Sequence, residues 1–390
     1  MSPTPVLMVT DIGHDADDTT ALLYAMGLVI RSEIRLLGVV TSGGNNRSRA
    51  RLVRHLLVTY GLGEIAVCAG AEPGPAWGAQ TLPRVHFPGG AARYGRYADS
   101  LDPRPSAQFI AEVIGGAGDG VEVWAIGPLG PFADAISGPA TGGTRGHLSW
   151  GPKDLDPTTV RWRAEPSAEA GIVSVPCPST DTTPPFLNAV SRLVFQGQHL
   201  GGAPSVAAFN VRQNPVAAWV VFRACALRGI PLRLAGKFAA YAVPARRPHL
   251  DRIARAVDLP GEMDFVALFR DTIRVFFQND PALFLEINCR RNQNFDPIHL
   301  ARFEAGGVAA VDFDALFDGA YALTPLYDPT TLVLARTPAL FSLEQHGPGH
   351  PLIEGVGQSS SRPGVLDADA VVEALIDGIS ALGVARSGRP

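Results

Sequence analysis

Lysine is almost missing from this chain: of 33 basic residues only Lys153 and Lys237 are lysines, and arginine supplies the rest. That bias reflects a GC-rich coding sequence more than a function. Cysteine is also scarce. Cys68, Cys177, Cys225 and Cys289 stand far apart with no metal-ligand spacing, which argues against a thiolate metal site and favours free thiols in a reducing cytoplasm. A formal charge of −4 and a pI near 6.1 leave no basic footprint for nucleic acid. No apolar run reaches the roughly 18 residues that cross a bilayer, and the N-terminus lacks the basic start and apolar core of a signal peptide. A cytoplasmic protein, with neither membrane nor nucleic acid as partner, is expected. What the 390 residues do contain is 46% hydrophobic and 18% charged side chains, enough to bury a large core.

The apolar segments alternate with helical ones. Val6–Val9, Ile34–Val40, Ile65–Gly70, Val121–Ile126, Arg192–Gly197 and Leu232–Ala235 read as strands. Helical stretches lie between, as over Arg49–Tyr60 and from Asn214, where Asn caps and Pro215 takes the first helical position. Strands spaced by helices predict right-handed crossovers and an open, mostly parallel, doubly wound α/β sheet with helices on both faces. One domain over residues 1–390 is expected, with a long insertion at about 137–185 and a C-terminal helix at about 367–382. Residues 137–185 and 345–363, rich in turn formers, read as surface loops or insertions.

Four aspartates fall within eight residues directly after the first strand: Asp11, Asp15, Asp17 and Asp18, with His14 among them. Open α/β sheets bind ligands at the C-terminal ends of their strands. Carboxylates this close repel one another, and a hard, oxygen-preferring cation such as calcium or magnesium neutralises them. One or two aspartates would suit a helix N-terminus alone; four fit that explanation poorly.

The strand-end turns taken together resemble the inosine-uridine-preferring nucleoside hydrolase family. Asp11-Ile-Gly-x-Asp15-x-Asp17-Asp18 resembles its opening turn, Gly44-Asn45 its second, and Cys68-Ala69-Gly70-Ala71 its third. Ile126-Gly127-Pro128-Leu129, Ala208-Phe209-Asn210-Val211 with Asn214-Pro215-x-Ala217-Ala218, and Tyr327-Asp328-Pro329 follow in family order, spanning residues 6 to 335. The resemblance implies hydrolysis of the N-glycosidic bond of a purine or pyrimidine nucleoside through an oxocarbenium-like state. It implies one calcium ion that acidifies a water, an aspartate that takes the proton, and a homodimer or homotetramer. Carried over by motif, Asp11 becomes base and metal ligand, Asp18 and Asp328 metal ligands, and Ile126 the ligating carbonyl. Asp17, Asn45, Asn210 and Asp328 fall among the contacts to the ribose hydroxyls and the groups orienting the metal shell.

The departures concern the substrate. Relative to the commonest motif, two residues are inserted between the first aspartate and the pair, so Asp11 and Asp15 compete for the base and metal roles. Val9 replaces an outer aspartate, Ala208 a glutamate, and Gly202 an asparagine that holds the 5′-hydroxyl. Tyr327 takes the place of a histidine near the leaving base and becomes a candidate acid, as does His14. His86 falls on the family's mobile loop and is a candidate substrate contact. Lys237 resembles a lysine of some divergent members. Trp219 and Phe222 read as core, and Asn288–Asn294 reads as a polar loop more than a pocket rim. Two other classes compete: a non-catalytic or repurposed nucleoside- or sugar-binding relative, and an aspartyl phosphotransferase. The last ranks lowest, because Gly13 stands where that chemistry puts a second aspartate.

Overall fold

The computed structural model describes residues 2–13, 16–72, 91–137, 183–197, 209–257, 265–279, 297–318, 324–345, 353–357 and 363–387. The strands of its main sheet are β1 (Thr4–Thr10), β2 (Ile34–Thr41), β3 (Ala66–Ala69), β4 (Val121–Ala125), β5 (Val190–Gln196), β6 (Leu232–Ala235), β7 (Glu344–Gln345) and β8 (Ile353–Val356); Pro244–Ala245 and Thr324–Pro325 pair separately. The main sheet has the order β3-β2-β1-β4-β5-β6-β8-β7. All its pairings are parallel except that of β7 with β8. Chain order reverses between β1 and β4, so the C-terminal ends of these neighbours open a crevice.

Helices cover both faces. They are α1 (Asp17–Ile30), α2 (Asn46–Thr59), α3 (Ser106–Ala117), α4 (Gly130–Ser137), α5 (Phe209–Gln213), α6 (Pro215–Arg228), α7 (Lys237–Ala242), α8 (Arg247–Val257), α9 (Phe265–Asn279), α10 (Pro297–Gly306), α11 (Phe313–Phe317), α12 (Tyr327–Arg336) and α13 (Ala368–Ser387). β1 explains why two cores result. Its side chains alternate, Val6 and Met8 packing with α1, α2, α12 and α13, Leu7 and Val9 with α3, α4 and α6. A strand buried on both faces must be apolar at every position, hence the unbroken Val6-Leu7-Met8-Val9. Each such side chain contributes about 1.5–3 kcal/mol on burial.

Local chemistry sets the helix ends and contacts. The Asn214 side chain accepts from the Ala217 N–H at 3.0 Å with Pro215 at the first position, so α6 starts where its cap dictates. α1 crosses α13 at Gly27, where an added Cβ would lie 1.9 Å from the Gly378 oxygen. Trp219 and Phe222 are buried, as core residues. Within 345–363 the loop expectation is corrected: Ile353–Val356 is a parallel strand beside β6. Its Ile-Glu-Gly-Val is too short, and too broken by Gly355, to show periodicity. The terminal helix runs over Ala368–Ser387. Most of the 137–185 insertion lies outside the described residues.

Candidate metal centre

Strand β1 delivers the aspartate turn to the mouth of the crevice. Thr10 closes the strand, and its hydroxyl donates to Asp18 Oδ1 at 2.5 Å while accepting from the Ile12 N–H at 3.1 Å. Gly13, at φ 99°, turns the chain, a conformation open mainly to glycine. The Asp18 N–H then donates to Asp17 Oδ1 at 2.9 Å in the first turn of α1. Asp328 comes from the first turn of α12.

Asp17, Asp18 and Asp328 meet there. All three are buried, and one oxygen from each lies within 4.8 Å of the others. Two helix N-termini stabilise negative charge at this point, and crowding three carboxylates out of water favours a cation among them. The donor set suits a hard cation. Oxygens held by one calcium at about 2.3–2.6 Å lie at most about 5 Å apart, which this cluster satisfies.

The group that closes up contains Asp17, carried over from the resemblance as a ribose contact, beside the expected Asp18 and Asp328. Asp11 is buried alongside and packs against Gly43, where a Cβ would stand 2.9 Å from the Asp11 Cβ. Gly127 is held as closely: a Cβ there would meet Ser42 Oγ at 2.6 Å and the Asp11 nitrogen at 2.7 Å. Glycine at both positions lets the ends of β2 and β4 close around Asp11.

Ile126 follows β4, and its carbonyl accepts from Asn210 Nδ2 at 2.7 Å. The same amide reaches Gln196 Oε1 at 2.8 Å and the Gln196 carbonyl at 3.2 Å. A carbonyl has two lone pairs, so Ile126 retains one for a cation. Asn45 sits exposed at φ 53°, the left-handed region that Asn tolerates. Tyr327 opens α12 beside Asp328, its ring edge-on to Tyr241 with centroids 5.9 Å apart. Lys237 opens α7, buried, its ammonium 5.5 Å from the centre of the Phe238 ring. His14, Asp15, His86, Gly202, Ala208 and Asn288–Asn294 lie outside the described residues.

Sequence reasoning passed over Thr10, Gln196 and Arg49. Arg49 Nε donates to the Gly44 carbonyl at 2.7 Å, and Nη1 donates to the carbonyls of Asp11 and, at 2.7 Å, Ile12. Its signal was present: Asn46, Arg49, Ala50 and Val53 share the buried stripe of α2, and an arginine on an apolar stripe needs a buried partner. Thr10 and Gln196 carried no comparable mark.

Residues 6–139 match the family described as inosine-uridine preferring nucleoside hydrolase. No curated protein matches the sequence. Among solved structures, the chain is similar to the type III effector protein XopQ complexed with adenosine diphosphate ribose, at 18% identity and TM-score 0.67, over 98% of this chain and 94% of that one. It is also similar to a plant nucleoside hydrolase at 15% identity and TM-score 0.55, over 97% and 99% of the two chains. The purine-preferring ribonucleoside hydrolase from Gardnerella vaginalis gives 16% identity and TM-score 0.53, over 97% and 99%. Likeness at such identities establishes the fold. Among the described residues, no helix is long and apolar enough to cross a membrane.

Proposed function

We propose that the chain, whose residues 6–139 match the inosine-uridine preferring nucleoside hydrolase family, hydrolyses the N-glycosidic bond of a ribonucleoside or related N-ribosyl compound, releasing free base and ribose. The observation that carries this reading is the convergence of buried Asp17, Asp18 and Asp328 at the C-terminal edge of a parallel sheet. Calcium is the proposed ion, held by Asp11, Asp18 and Asp328 with the Ile126 carbonyl; Asp17 closes on Asp18 and Asp328, and Asp15 is a further candidate ligand. A divalent ion in such a set supplies positive charge and Lewis acidity.

The chain's own residues divide the remaining work. Asp11 accepts a proton from the attacking water as the water oxygen bonds to the ribose C1′. The electrons of the breaking C1′–N bond leave with the base, which takes a proton in turn. Tyr327, beside Asp328, is the proposed donor; a phenol with an ordinary pKa near 10 is a weaker acid than imidazolium. His14 is the alternative donor. Asn45, Asn210, Asp17 and Asp328 hold ribose hydroxyls, and His86 contacts the substrate. A cytoplasmic homodimer or homotetramer completes the proposal.

A second reading is favoured by two observations. The effector structure complexed with adenosine diphosphate ribose aligns at a higher TM-score than the hydrolases, and Ala208 and Gly202 remove polar groups that the family resemblance places around the 5′-hydroxyl. On that reading the chain binds an N-ribosyl or ribosyl-phosphate compound without turning it over. A panel of ribonucleosides scored for free base and reducing sugar, with and without chelator, separates the two. Release from at least one substrate supports the hydrolase; binding without release supports the second reading.

A further inference from the structure

Arg49 is an unusual residue to find at the heart of a sheet protein. It is 0% exposed, and its guanidinium donates only to main-chain carbonyls, those of Asp11, Ile12 and Gly44. Its Nη2 has no hydrogen-bond partner. Among the described residues no carboxylate forms an ion pair with it. A buried cation satisfied only by neutral oxygens is costly, and the cost is met only where negative charge stands near. The aspartate turn supplies it. Two of its three carbonyls belong to the aspartate turn itself, and Asp17 and Asp18 follow within the same segment.

We propose that Arg49 is a positioning residue whose buried charge balances the aspartate turn, so that the carboxylate site folds before any cation is bound. The inference rests on the cation reading of the Asp17, Asp18 and Asp328 cluster and assigns a residue to its empty state. Three features make the arrangement specific. The guanidinium fork spans the ends of β1 and β2, fixing the Asp11–Ile12 turn against Gly44. Arg49 holds the turn by its main-chain carbonyls rather than by its carboxylates. Arginine keeps its charge when buried, which lysine does not reliably do.

A double-mutant cycle measured by thermal unfolding in chelator tests this. Arg49→Met should lower the Tm by roughly 5–10 °C, the scale of leaving a buried charge uncompensated in a large domain. In an Asp11→Asn background the same substitution should cost less than half as many degrees. The three carbonyls are abandoned in both backgrounds, so their loss cancels and the difference reports charge coupling. Arg49→Lys should recover part of the Tm in chelator, and saturating calcium should shrink the penalty of Arg49→Met. Equal penalties in the two backgrounds would make Arg49 a backbone clamp and overturn the proposal. If Arg49→Met yields no folded protein, its recovery by Asp11→Asn supports the proposal, and failure to recover overturns it. Calorimetric titration of the wild type with calcium is read separately. A protein that binds no calcium but shows the charge coupling loses the cation reading and keeps the role of Arg49.

Discussion

The side-chain amide of Asn210 donates to the main-chain carbonyl of Ile126 at 2.7 Å, joining α5 to the end of β4. Gln196 at the end of β5 takes the other share of that amide, so three elements meet on one side chain. The carbonyl that the family resemblance assigns to the cation is therefore held in place from behind. Asn210→Leu should leave buried acceptors unpaired at a cost of about 1–3 kcal/mol, or roughly 2–4 °C of Tm per kcal/mol. Calcium affinity should weaken with it. Unchanged Tm and unchanged calcium binding would mean that Asn210 is not a brace.

Asp11 is the residue on which the proposed proton transfer depends. Asp11→Ala should lower kcat at least about a hundredfold, the low end of general-base contributions, with a much smaller change in KM. Steady-state kinetics on the best nucleoside of the panel measures both. A variant within a few-fold of wild type would move the proton-accepting role to Asp15.

Much of the fold was legible in the sequence, and β1 shows why. A parallel strand buried on both faces needs an unbroken apolar run, and Val6–Val9 supplies one between polar ends. Asn214-Pro215 marked the start of α6 because capping is local chemistry. Ile353–Val356 was hidden, since its pairing with β6 comes from tertiary contact and not from its own pattern. In the candidate site the aspartate turn announced itself through charge density. The closing of Asp17 with Asp328, more than 300 positions apart, depends on where α12 packs and is invisible to spacing. Arg49 was marked only by its place on the buried stripe of α2.

Burial holds the thiols of Cys68 and Cys225 protonated, pushing each up to about 12 from an ordinary 9.0. Alkylation of the native protein with iodoacetamide at pH 8, read by peptide mass spectrometry, should leave both unmodified, while the unfolded chain reacts. The sign of the pH dependence follows. The folded values are raised, so this stability is fully present below pH 9 and is lost as pH rises toward 12. The Tm should decline between pH 9 and 11. Rapid native labelling, or a flat alkaline limb, would place these thiols nearer solvent.

Specificity follows from the positions that depart from the family pattern. With Ala208 and Gly202 where the family resemblance places polar groups, the 5′ end of the sugar should be weakly read. A site that hydrogen-bonds a hydroxyl rejects analogues lacking it strongly, whereas an apolar one discriminates little. The ratio of kcat/KM for inosine or uridine to that of its 5′-deoxy analogue should stay within about tenfold. A ratio near a thousandfold would mean that polar groups elsewhere, with Arg161 and Arg163 of the insertion as candidates, still read that hydroxyl.

The most direct measurement is release of free base by chelator-treated protein as calcium is returned, with bound metal counted in parallel, for wild type and Asp18→Asn. Base release should vanish with the metal and return at one calcium per chain. Asp18→Asn should bind calcium at least about tenfold more weakly and lose activity to match. Full activity in metal-free protein, or Asp18→Asn binding calcium as tightly as wild type, would contradict this metal-dependent mechanism.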